Sequence, residues 1–229
     1  MCYTITMERS LNILITAGGT SEKIDDVRRI TNSGTGSLGA KIADAFISAE
    51  EGCKITYICS AGAVKPSSKQ NVEIITADDV ESVKTAVTAA CSKNSYNVII
   101  HSMAISDYRV QTVTGGDGRE LKDAKISSGM EKLIIVLEKA PKIIALLRSL
   151  APDAVIFGFK LLADVPEEEL VHAGLELLKK NDCDYVLAND IKTIQAGNHE
   201  GLLIDKDGAF IRASGKDAIA ELIVRTALQ

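Results

Sequence analysis

The 229-residue sequence has no run approaching the roughly 18 apolar residues that a membrane-spanning helix requires, and Glu51 and Lys54 interrupt the apolar stretches near residue 50. No membrane crossing is expected. The amino-terminal MCYTITMERS is too polar for a signal peptide. The five cysteines, Cys2, Cys53, Cys59, Cys91 and Cys183, are odd in number and form no CxxC pair. This argues against a disulfide framework and reads as reduced, partly buried thiols in a cytoplasmic protein. His101, His172 and His199 lie far apart with no HExxH spacing, so no protein-built metal site is assigned. The formal net charge of −5 leaves no broad basic surface for nucleic acid. A small anion would instead be held by a few local lysines.

What is present begins at Leu11 to Gly39, LNILITAGGTSEKIDDVRRITNSGTGSLG. Asn12 to Thr16 is a short apolar β-prone run, and AGGT ends it where a strand would reach the carboxyl edge of a sheet, the edge at which open α/β sheets bind ligands. A second small-residue turn, Asn32 to Ser37, precedes a helix whose Leu38, Ile42, Ala45 and Phe46 share one face. Glycines and hydroxyls at a helix start form a phosphate cradle, although each glycine taken alone only permits a tight turn.

Strands are expected at Cys53 to Ala61, Val72 to Ala77, Tyr96 to Ile105, Leu133 to Leu137, Ala154 to Phe159 and Asp184 to Asp190. Helical spacing follows in ADDVESVKTAVTAACSK, from Pro141 to Leu150, in EEELVHAGLELLKKND, and from Asp217 to Leu228. Gly115 to Lys125 reads as a flexible lid, and GLLIDKDGAFI as a hairpin turning at Asp207-Gly208, with Asp205 and Asp207 as turn residues. Strands alternating with helices predict an α/β fold of three layers with a mostly parallel central sheet. The chain is long enough to bury about 70–75% of its unfolded surface in one domain spanning 1–229, with residues 1–10 a poorly ordered extension. The loops Ala17 to Thr20, Ser102 to Arg109, Phe159 to Leu162 and Asn189 to Ile191 then converge on one edge.

Taken in order, ITAGGTSEKIDDVRRITNSGTGSLG, SMAISDYR, AKISSG followed by KAPKII, GFKL and KKNDCDYVLANDI resemble the phosphopantothenoylcysteine synthetase family over residues 12 to 192. The resemblance implies a Rossmann-like fold and a homodimer with its active site near the subunit interface. It also implies a reaction joining 4′-phosphopantothenate to L-cysteine in coenzyme A biosynthesis. CTP, or less favourably ATP, would activate the carboxylate with Mg²⁺, and CMP and pyrophosphate would leave. Only about ten residues precede the first strand, so the chain looks like the stand-alone form rather than one fused behind a decarboxylase.

The same resemblance assigns roles. Lys125 would stabilise charge at the α-phosphate, and Asn32 would turn over the acyl-nucleotide. Gly18, Gly19, Thr20, Ser102, Met103, Asp107, Pro141, Lys142, Ile143, Ile144, Phe159 and Lys180 would contact the nucleotide. Thr35, Gly36, Asn189 and Asp190 would join Asn32 at the substrate. Outside that context these are ordinary residues: an Asx-turn former, a solvated lysine, a surface aspartate, a core aromatic. Two departures stand out: Glu176 replaces an expected lysine one helical turn before Lys180, and the lid reads KISSG, leaving fewer cations for a triphosphate.

An NAD(P)-dependent short-chain dehydrogenase would need a TGxxxGxG or GxGxxG turn and a YxxxK pair; TAGGTSEKID has neither spacing, and no tyrosine precedes a lysine by four positions. A non-catalytic nucleotide-binding regulator is the other alternative. It would release no pyrophosphate.

Overall fold

A computed structural model describes residues 11–229; the expected extension at residues 1–10, with Cys2, lies outside the described residues. The chain opens with β1 (Asn12–Ala17), a short hairpin of β2 (Ser21–Lys23) and β3 (Arg29–Thr31), and α1 (Ser37–Ala49). There follow β4 (Lys54–Cys59), β5 (Val72–Thr76), α2 (Val80–Lys93), β6 (Val98–His101), β7 (Tyr108–Gly115) and β8 (Leu133–Lys139). The remainder comprises α3 (Ile144–Leu150), β9 (Val155–Leu162), α4 (Glu167–Asn181), β10 (Tyr185–Asp190), α5 (Ile191–Gln195), β11 (Glu200–Ile204), β12 (Phe210–Ser214) and α6 (Lys216–Ala227).

Eight strands form one sheet in the order β12-β11-β10-β9-β6-β1-β4-β5. Only β11 runs against the other strands, pairing antiparallel with β10 and, as the expected hairpin, with β12; Gly208 takes φ 87° in the hairpin turn, where a side chain would be strained. The central strands read as unbroken apolar runs because both faces are covered. Ile15, Phe46, Tyr57, Phe157 and Ile223 pack under α1 and α6. Leu14, Val83, Ile99, Leu147 and Val186 pack on the opposite face under α2, α3 and α4. Each fully buried side chain of this size contributes roughly 1.5–3 kcal/mol. The fold is therefore the expected three-layer α/β arrangement with a mostly parallel sheet.

Local chemistry sets the helix ends. Asp79 and Ser82 form a reciprocal capping box at the start of α2, each side chain bonding the other's backbone N–H (2.8 and 3.0 Å). α4 follows Pro166 and carries Glu167, Glu168 and Glu169 in its first turn and Lys179 and Lys180 in its last, matching its dipole. α1 has neither a side-chain cap nor an acid in its first turn.

After β1 the chain builds β4 and β5 on one side, then crosses back to place β6 on the other. The carboxyl ends of β1 and β6 thus form the switch point where such sheets leave a crevice.

Three features depart from expectation. The segment at Leu133 forms no part of the main sheet; β8 pairs only with β7, as a separate antiparallel ribbon. The intended lid at the ribbon's tip is folded back, with Leu121 and Ile126 buried with Val113, and the Leu121 N–H donates to the Val113 carbonyl at 2.8 Å. α3 begins at Ile144 rather than Pro141, after a lead-in turn in which the N–H groups of Ala145 and Leu146 donate to Lys142 and Ile143.

The two small-residue turns stack backbone on backbone. A Cβ on Gly19 would lie 2.1 Å from the Asn32 carbonyl oxygen, and one on Gly34 would lie 2.7 Å from that of Gly18. Gly19→Ala should therefore lower stability by about 1–3 kcal/mol through overpacking, read as a drop in the urea midpoint at unchanged slope. An unchanged midpoint would show that the turns can separate freely.

Candidate functional site

The turn after β1 is knitted to the segment after β6. The N–H of Thr20 donates to the Ala104 carbonyl (3.0 Å), that of Ala104 to Gly18 (2.8 Å), and that of Ser106 to the Thr20 hydroxyl (2.8 Å). Asn32 joins from above, its N–H donating to the Thr20 carbonyl at 2.9 Å and its Nδ2 to the Ala104 carbonyl at 3.2 Å.

Beside this knot, on the face covered by α3 and α4, opens a cavity of about 920 Å³. Its wall runs from His101 and Met103 through Ala104 to Asp107, then Lys142 to Ile144 at the start of α3, Phe159 to Leu161 of β9, and Glu176 to Asn181 of α4. Four lysines line it, Lys142, Lys160, Lys179 and Lys180, against Asp107 and Glu176. Asp107 pairs with Lys142, and Glu176 faces His172 at 3.4 Å. A chain of net charge −5 thus concentrates cations where an anionic, partly apolar ligand of nucleotide size fits.

The structure brings Met103, Asp107, Lys142, Ile143, Ile144, Phe159 and Lys180 to this wall. Phe159 borders the cavity but packs against the α1–α6 core, since strand alternation places it with Phe157. Asn32, half-buried, reaches the wall through Ala104.

The other expected residues stand elsewhere. Gly18, Gly19 and Thr20 are buried behind the wall, with Thr20 bonded as above, so they form its support. The Ser102 hydroxyl donates to the Thr16 carbonyl (2.7 Å), and neither Ser102 nor Pro141 borders the cavity. Thr35 and Gly36 sit at the open start of α1. Asn189 is buried, its Nδ2 donating to the Glu200 carbonyl at 3.0 Å. Asp190 is also buried, its carboxylate accepting from the N–H groups of Asp164, Val165 and Lys192 at 2.7–3.1 Å, which hold its pKa below the usual range. Its role here is to fix the approach to α4 and the start of α5. Lys125 is exposed, lies outside its own chain's cavity and has no ion-pair partner among the described residues.

Sequence reasoning missed three features. Lys160 supplies a wall cation, and its place after GF in a strand was the available signal. Lys216 opens α6 and donates to the Ser37 hydroxyl at 2.7 Å beside the uncapped start of α1. His199, whose pKa burial and the Lys216 charge hold low, has a buried Nδ1 without a partner among the described residues. No three His, Cys, Asp or Glu side chains converge as a metal site among the described residues.

The model of the DNA/pantothenate metabolism flavoprotein C-terminal domain family matches residues 9–229. The chain belongs to this family. It is 33% identical over 198 residues to the coenzyme A biosynthesis bifunctional protein CoaBC of Thermococcus kodakarensis, covering 86% of this chain and 45% of that one. The chain spans about half the length of the curated relatives it matches. The DNA/pantothenate metabolism flavoprotein from Streptococcus pneumoniae superposes with a TM-score of 0.87 at 35% identity, covering 96% of this chain and 99% of that one. A Cab2 mutant in complex with phosphopantothenate-cysteine shares the fold, with a TM-score of 0.75 at 19% identity over 95% of this chain and 85% of that one. No helix among the described residues is long and apolar enough to cross a membrane.

The lid base is held by Asp25. Its carboxylate accepts from the N–H groups of Val27 (2.9 Å), Arg28 (2.7 Å) and Ile126 (3.1 Å) and from the Arg28 guanidinium (3.0 Å). Burial pushes this pKa up, but the three N–H groups and Arg28 outweigh it and lower it to about 2. The stabilisation is therefore complete above the unfolded value near 4 and is lost as pH falls toward 2. Asp25→Asn should flatten that limb of the stability profile and speed amide exchange at Ile126. Identical acid limbs in both proteins would contradict the assignment.

Proposed function

We propose that the chain is a nucleotide-dependent ligase of coenzyme A biosynthesis that joins 4′-phosphopantothenate to the amine of L-cysteine. The observation that carries this reading is the lysine-lined cavity at the switch point, with Asn32 seated at its edge, in a member of this family. The coenzyme A role named for CoaBC and the phosphopantothenate-cysteine held by the Cab2 mutant agree with it.

A carboxylate is a poor electrophile, so it is first activated. One carboxylate oxygen attacks the α-phosphorus of CTP, the bond to the β-phosphate oxygen breaks, and pyrophosphate leaves with those electrons. The charge developing on phosphorus is met by the wall lysines. The amine of cysteine then adds to the acyl carbon, loses a proton, and expels CMP from the oxyanion intermediate. Asn32 Nδ2, now donating to the Ala104 carbonyl, is a donor one residue from the wall and can turn to that oxyanion. Asp107 and Glu176 offer hard oxygen donors at the cavity to a Mg²⁺ carried by the triphosphate, which when bound neutralises phosphate charge.

Lys125 belongs to this scheme through a second copy of the chain. It lies outside its own cavity, in the loop at the tip of a ribbon whose β8 exposes Ile134 (39%) and Val136 (41%) on one face, an apolar strip suited to a homodimer in which each lid serves the neighbouring site. The enzyme is placed in the cytoplasm, where its soluble substrates would meet it.

With phosphopantothenate, cysteine and CTP, the wild type should release pyrophosphate and CMP. Lys125→Ala should suppress pyrophosphate release, whereas Asn32→Ala should slow turnover by about 10²–10³ and let an acyl-nucleotide accumulate, detected by mass spectrometry. No pyrophosphate from the wild type with either CTP or ATP would overturn the enzyme reading; normal turnover in Asn32→Ala would remove that residue's role.

A further inference from the structure

We propose that His101 is a base-reading residue: its imidazole presents a fixed Nε2–H donor to an acceptor on the nucleobase edge, N3 or O2 of cytosine, and Thr16 locks it in that tautomer. This inference rests on the nucleotide reading above and names a side chain within that site.

Thr16 and His101 face each other across the switch point, paired in register between β1 and β6. Strand alternation puts both on the face of Leu14 and Ile99, the face on which the cavity opens. Thr16 is fully buried and His101 only 7% exposed, yet His101 lines the cavity.

The tautomer follows from counting donors. Thr16 Oγ1 lies 2.9 Å from His101 Nδ1 and 3.4 Å from the Met103 backbone nitrogen. The Met103 N–H can only donate, so among the described residues Nδ1 is the neighbour that can take the hydroxyl hydrogen, and the proposal gives it that role. An Nδ1 that accepts is unprotonated, and a neutral imidazole then carries its proton on Nε2. Burial pushes the ring's pKa down to about 4, so it is neutral at physiological pH.

That Nε2–H has no protein partner among the described residues and opens to the cavity, since the fully buried partnerless side-chain polar atom among them is His199 Nδ1. It is therefore free to donate to an acceptor that enters the cavity. Met103, Ile143 and Ile144 supply apolar wall in the same cavity for a planar ring, while the four lysines supply charge for phosphates. One neutral donor among apolar neighbours suits a base edge rather than a phosphate, which the lysines already serve.

The test is isothermal titration of the wild type and variants with CTP and, separately, with inorganic tripolyphosphate, which has no base. His101→Leu should weaken CTP binding by about 10-fold or more, the cost of an unmet acceptor, and leave tripolyphosphate binding unchanged. His101→Gln, which carries an amide donor near the Nε2 position, should recover most of the loss. Thr16→Val keeps the shape but frees the tautomer; ¹⁵N imidazole spectra should show Nε2–H alone in the wild type and both tautomers in the variant. This last measurement needs no substitution at His101. CTP affinity unchanged in His101→Leu, an equal loss of CTP and tripolyphosphate, or a wild-type Nδ1–H would overturn the inference. Wild-type protein that binds no CTP would overturn the ligase reading itself, and this inference with it.

Discussion

The site depends on one close contact, the turn after β1 lying against the turn before α1 with no side chain between them. Gly19 and Gly34 are required there by distance, because a Cβ on Gly19 would lie 2.1 Å from the Asn32 carbonyl oxygen and one on Gly34 2.7 Å from that of Gly18. That contact places Asn32 over the Thr20 and Ala104 carbonyls, and Ala104 in turn begins the cavity wall. It also leaves the start of α1 without a side-chain cap. Glycine's low cost at close backbone approach is thus converted into the position of a chemically capable amide.

Electrostatics work locally against the net charge. The acidic total keeps the surface from attracting polyanions, while Lys142, Lys160, Lys179 and Lys180 gather on the cavity wall. Glu176 sits among them where a lysine was expected, and its neighbour His172 adds a countercharge only when protonated. Lys160, from β9, restores a cation that α4 lacks. Lys125 lies in the loop at the ribbon's tip, away from the cavity, so the proposed ligase would gather its full complement of cations only in the proposed dimer.

Much of the fold was legible because buried parallel strands leave an unmistakable apolar run: Ile13 to Ile15, Ile55 to Ile58 and Val98 to Ile100 are all buried. Leu133 to Leu137 was legible as the strand it forms, but β7 and the pairing of the two as a separate ribbon were not, because YRVQTVTG and LIIVLEK are half-exposed. Of the site, the strand-end motifs located Met103, Asp107, Lys142 to Ile144, Phe159 and Lys180 at the cavity, since a strand's end fixes where its next residues lie. Which way a side chain turns was less legible. Thr20, Ser102 and Asp190 fit a ligand site by type, yet their polar atoms are consumed by neighbouring backbone. Lys216 and Ser37 meet from opposite ends of the chain, a pairing that no local pattern encodes.

The central claim is that a carboxylate of phosphopantothenate attacks the α-phosphorus in this cavity. The most direct measurement uses phosphopantothenate labelled with ¹⁸O in its carboxylate, together with cysteine and CTP, and reads the released CMP by mass spectrometry. The account predicts one ¹⁸O in each CMP, carried over when the acyl carbon–oxygen bond breaks. Product formed with unlabelled CMP would contradict it.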